Sequence, residues 1–97
     1  MNDDDFSAFE ADARARGFDT VLVREWAPHT VLDTHSHDFA VEARVVRGEV
    51  WLTVGERTQH LSAGGRFELA GGIPHAERYG PEGATFWAAR RSVASHS

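Results

Sequence analysis

His35-Ser36-His37 and the later His75 are the side chains of this 97-residue chain whose types and spacing suit chemistry. Neutral imidazole nitrogen donates well to borderline divalent ions, so three such rings make a sound set for Zn, Fe, Ni, Mn or Cu. In an extended segment successive side chains point to opposite faces, which sends His35 and His37 the same way. By itself the pair serves as readily on a surface or in a core as on a metal. The chain has no cysteine, so disulfides, thiolate chemistry and sulfur-ligated zinc are excluded, and any metal rests on nitrogen and oxygen. No nucleophile stands out, because the same alternation turns the Ser36 hydroxyl away from the histidines.

The elements that must position these rings are short and mostly β. Residues 3–16 alone carry a helical period: Phe6, Phe9 and Ala13 share a face, Asp3 to Asp5 suit the N-terminus, Arg14 and Arg16 the C-terminus, and Gly17 the stop. This predicts a helical arm over residues 1–18 with its phenylalanines on the exterior of a barrel over residues 19–92, followed by a tail over 93–97 with a solvated His96. Alternating apolar runs predict strands at Thr20 to Trp26, Thr30 to His37, Phe39 to Arg47, Glu49 to Val54, Gln59 to Leu61, Arg66 to Ala70, His75 to Tyr79 and Ala84 to Arg90. Glycine and proline turns separate them, including Gly64-Gly65, Gly71-Gly72-Ile73-Pro74 and Gly80-Pro81-Glu82-Gly83. Strands this short and this numerous indicate an antiparallel sandwich or barrel.

Composition bounds the partners. With 41% hydrophobic and 26% charged residues the chain reads as a soluble single domain, and no apolar run reaches the roughly 20 residues of a bilayer span. The acidic N-terminus lacks the basic-then-apolar pattern of a signal peptide, which makes the cytoplasm the expected location. A net charge of −5 argues against nucleic acid, and Arg90-Arg91 reads as solvated charge. So small a core favours a homodimer.

The histidines and glycines together resemble the two motifs of the cupin superfamily, commonly G-x5-H-x-H, three or four residues, Glu, six residues and Gly, then G-x5-P-x-G-x2-H-x3-N. His35, His37 and Gly48 match the first motif; Gly64, Gly72 and His75 match the second. The resemblance spans about residues 20 to 91. It implies an all-β fold, an antiparallel double-stranded β-helix or jelly-roll cupin barrel of the RmlC-like kind behind the short N-terminal helix. It also implies a divalent metal on His35, His37 and His75, a small-molecule ligand, and activities that include dioxygenases and isomerases.

The departures bear on both turns and ligands. His29 stands at the first glycine, Ala70 at the proline and Tyr79 at the asparagine. Val41 occupies the glutamate slot, with Glu42 one residue late. In a regular strand Val41, Ala43 and Val45 face inward while Glu42 and Arg44 face out. Glu42 joins the metal only if a β-bulge near Phe39 or Ala40 rotates it, and is otherwise a surface carboxylate that could pair with Arg44 across a subunit interface. Glu77 shares parity with His75 and is a candidate ligand, base or orienting group, or a solvated rim residue. Val41, Phe39, Glu77 and Phe86 are the candidate pocket lining, and Trp26, Trp51 and Trp87 could join them or pack elsewhere. Two functions stay open: a metal-dependent enzyme, or a non-catalytic binding or sensing module whose metal site is degenerate or empty.

Overall fold

The structure is a computed structural model that describes residues 3–92; the expected tail and His96 lie outside the described residues. Helix α1, Asp3–Ala15, precedes six strands: β1 Thr20–Trp26, β2 Val31–His35, β3 Phe39–Val54, β4 Arg57–Ser62, β5 Arg66–Leu69 and β6 His75–Ser92. The order is the expected one, with two corrections. Phe39 to Arg47 and Glu49 to Val54 form one strand, and so do His75 to Tyr79 and Ala84 to Arg90. Gly48 and the Gly80–Gly83 segment bend these strands rather than ending them.

Each long strand therefore serves two sheets. The first half of β3 and the second half of β6 pair with each other, and β1 and β5 flank them. The second half of β3 and the first half of β6 pair in turn, flanked by β4 and β2. All pairings are antiparallel, which gives a double-stranded β-helix of two four-stranded layers.

The layers are closest at the bends. Gly48 adopts φ 80° beside Ala84, and a Cβ there would lie 2.0 Å from the Gly83 oxygen. Gly83, at φ 68°, is pressed as tightly on the Trp26 carbonyl, where a Cβ would lie 2.1 Å away. Only glycine fits backbones this close in the left-handed region. Just inside this closed end, Val45, Val50, Ala84 and Tyr79 are almost wholly buried, and Tyr79 reaches across to stack on Trp26 at 5.1 Å. His29, at the motif's first glycine, takes φ 61°, so the glycine conformation survives without the glycine.

Strand parity holds over residues 39–45, which pair without interruption to β5 and β6; the register breaks come later, between Val45 and Arg47 and between Gly48 and Val50. The bulge that could have turned Glu42 inward is absent. Its carboxylate lies on the outer face and accepts from both Arg16 NH groups, which raises the Arg16 pKa chiefly through that hydrogen bond. Arg44, on the same face, covers Trp87 with its guanidinium at 5.5 Å. Helix α1 packs on this outer face as expected: Phe6 and Phe9 lie 5.6 and 5.8 Å from the Trp87 ring, and Ala13 is buried with Phe18 and Ala89. Among the described residues no helix is long and apolar enough to cross a membrane.

Candidate metal centre

At the other end the layers diverge and the three histidines meet. The ring centroids of His35 and His75 are 4.4 Å apart, and His37 lies 5.0 and 5.2 Å from them. One nitrogen from each ring falls within 4.8 Å of the other two. The route to this convergence differs from simple alternation. Strand β2 ends at His35, and His37 follows in the connection to β3. Leu32 pairs with Glu77 and His35 with His75, so three steps along β2 match two along β6. That one extra residue turns His35 to the same side as Leu32. The Gly72 amide donates to the His37 carbonyl at 2.7 Å, tying the ring's backbone to the glycine turn before β6.

Backbone carbonyls set the proton on two of the rings. His35 Nδ1 is 2.7 Å from the Asp33 oxygen, and His75 Nδ1 is 3.0 Å from the Ile73 oxygen. A carbonyl only accepts, so each Nδ1 carries a hydrogen, and in the neutral ring Nε2 is then the nitrogen with the lone pair. His37 stacks face to face on Phe39 at 4.7 Å. Burial, followed by the charges of His75 and His35, lowers its pKa and favours the neutral ring.

A carboxylate completes the group, and it comes from Glu77 rather than Glu42. Glu77 Oε2 lies 3.6 Å from His35 Nε2 and 3.4 Å from His75 Nε2. Its other oxygen accepts from the Tyr79 hydroxyl. Burial, reinforced by that hydrogen bond, raises the Tyr79 pKa far above its ordinary value, so the hydroxyl keeps its proton and remains a donor. Only a tenth of the Glu77 side chain is exposed, against the solvated rim position its sequence left open.

These donors fit a divalent cation. In their neutral form the two rings turn Nε2 lone pairs toward a carboxylate oxygen, an arrangement a cation makes favourable. Two donors each about 2.1 Å from a shared ion lie roughly 3.0–3.4 Å apart at octahedral to tetrahedral angles, near the 3.4 and 3.6 Å from Glu77 Oε2 to the two Nε2 atoms and shorter than the 4.8 Å within which the three histidine nitrogens fall.

The cavity beside the group has a volume of ≈ 110 Å³, and Phe39, Val41, Glu77 and Phe86 all line it. Trp26 joins them, while Trp51 and Trp87 face outward, Trp51 between His60 and Arg78. His29 is an exposed turn residue, and His60 bonds Glu49 at 2.7 Å away from the cavity. Two charged cavity residues were not legible as such in the sequence, Arg24 and Arg90. Arg24 shares parity with Leu22 and Trp26, the one signal that could have placed it inward. Arg90 pairs with Thr20 two positions from the inward Ala88, so only its neighbour Arg91 is the solvated charge expected of both.

No protein-family model and no curated protein matches the sequence. Solved structures do match the fold. An RmlC-like cupin from Shewanella frigidimarina NCIMB 400 superimposes with a TM-score of 0.66 at 21% identity, over 79% of this chain and 68% of that one. KdgF from Halomonas sp. gives 0.62 at 17% identity, over 72% and 66%. The oxalate decarboxylase of Bacillus subtilis, a protein with Mn(II) centres, gives 0.67 at 22% identity, over 79% of this chain and 22% of the decarboxylase. The fold is that of the cupins, a double-stranded β-helix.

Proposed function

We propose that the open end of the barrel is a mononuclear metal site in which His35, His37 and His75 hold one divalent ion, Glu77 completes the donor set, and a small organic molecule binds in the adjoining cavity. The observation that carries this reading is the pair of Nδ1–carbonyl hydrogen bonds, which aims Nε2 of His35 and His75 at one point beside a carboxylate. Carbonyl groups in this second position fix ring orientation in metal sites generally. A bound divalent ion would supply Lewis-acid activation of a ligand oxygen. Tyr79 holds Glu77 in place, and the walls formed by Phe39, Val41 and Phe86 exclude water from one side of the ligand. Dioxygenase or isomerase chemistry is compatible with such a site, and a homodimer with so small a core.

Elemental analysis of protein purified without an affinity tag tests the reading. About one equivalent of a transition metal is expected after reloading; less than about a tenth overturns it. Ligand recovered unchanged from the metal-loaded protein assigns a binding or sensing role, and converted ligand assigns catalysis.

A further inference from the structure

The charge lining the cavity is opposite in sign to that of the chain. The whole sequence carries −5, yet the cavity sets two guanidiniums, Arg24 and Arg90, against the single carboxylate of Glu77. That carboxylate is already engaged by the Tyr79 hydroxyl and the two histidines. Among the described residues neither arginine forms an ion pair. Each instead sits over a cavity-lining ring, Arg24 over Trp26 at 4.6 Å and Arg90 over Phe39 at 4.6 Å. A cation–π contact engages the charge without taking up the guanidinium's N–H donors in an ion pair.

The arginines belong to adjacent strands and the same inner face, with paired Leu22 and Ala88 between them. Phe39 lies under Arg90 and also stacks on His37, so one ring contacts both the guanidinium and the histidine group. Two partly buried cations on one cavity repel each other and lose hydration, costs that an anion between them offsets. A forked guanidinium matches the two oxygens of a carboxylate in particular. By volume, ≈ 110 Å³ accommodates a body of roughly five heavy atoms inside the barrel, since about 150 Å³ holds benzene.

We infer that Arg24 and Arg90 form the anion subsite of this cavity, and that its ligand is a small organic carboxylate bound at the arginines by its carboxylate with its other end toward His35, His37 and His75. The ligand's far end rests on the metal reading above; the arginine subsite does not.

Titration by NMR with propionate and its isosteric amide, propionamide, separates the two. In metal-free protein at about pH 8.5, where imidazoles are ordinarily neutral and the arginines alone carry positive charge in the cavity, propionate is expected to bind at least tenfold more tightly than propionamide. Arg90→Gln and Arg24→Gln each remove most of that preference while leaving metal content unchanged, and the corresponding lysine variants restore part of it. Equal affinity for acid and amide in metal-free wild type overturns the subsite, as does orthophosphate binding more tightly than propionate. Because the wild-type comparison needs no variant, misfolding of a glutamine variant does not blunt it. Failure of metal retention with a persisting acid preference overturns the metal centre and leaves the subsite standing.

Discussion

The same two strands, β3 and β6, build both ends of the barrel, and they build them by opposite rules. At the closed end the chains touch backbone to backbone through Gly48 and Gly83, and the space above is filled by Val45, Val50 and Tyr79. At the open end the layers part, and the inner face that carried valines now carries three imidazoles, a carboxylate and two guanidiniums. The first region is held by close backbone contact and apolar packing, and leaves the Trp26 Nε1 buried without a hydrogen-bond partner. In the second, three imidazoles converge beside a carboxylate, and two cations lack an anionic partner among the described residues. A barrel this small can hold such a group because the tight end supplies the stability that the open end does without.

If that division holds, substitutions at the two ends separate folding from binding. Gly83→Ala should have the largest effect: the positive φ alone costs about 1–2 kcal/mol, and the Cβ must also displace the Trp26 carbonyl. A loss of about 3 kcal/mol or more is expected in urea unfolding, or a fall of well over roughly 10 °C in melting temperature. His75→Ala should move metal content from about one equivalent to near zero by elemental analysis, while shifting the apo melting temperature far less than Gly83→Ala does.

The paired carboxylates sharpen the contrast. Glu77→Gln is expected to weaken metal binding by about 10–100-fold in competition with a chromophoric chelator. Glu42→Gln should leave metal affinity unchanged, since it removes only an outer-face pair with Arg16. Equal losses from both would mean that the two faces of β3 are not the independent surfaces described above. The smallest effect is a gain: His29→Gly relieves a left-handed non-glycine residue at the closed end and should stabilise by about 0.5–1 kcal/mol in the same urea experiment.

Much of this arrangement was open to reading from residue order. The period-2 alternation of Val41, Ala43 and Val45 faced Glu42 outward, and the helical spacing of Phe6, Phe9 and Ala13 placed α1 on the exterior, because both periods follow from local backbone geometry. The glycines marked the bends but not their kind. Whether Gly48 and Gly83 end a strand or let it continue depends on the backbone they meet from the other layer, which no local pattern contains.

The histidines divide in the same way. Their types and the H-x-H spacing identified the donors and the chemistry open to them, since donor strength belongs to the side chain itself. Their convergence was decided by long-range pairing. The extra residue in β2 turns His35 and the Gly72 amide holds His37, whereas the Nδ1 protons of His35 and His75 are placed locally, by the carbonyls two residues back at Asp33 and Ile73. Glu77 displaced Glu42 as the site's carboxylate, and Arg24 and Arg90 entered the cavity, for one physical reason. Parity says which side of a strand a residue faces, and only the closure of the second layer makes that side the inside of a site.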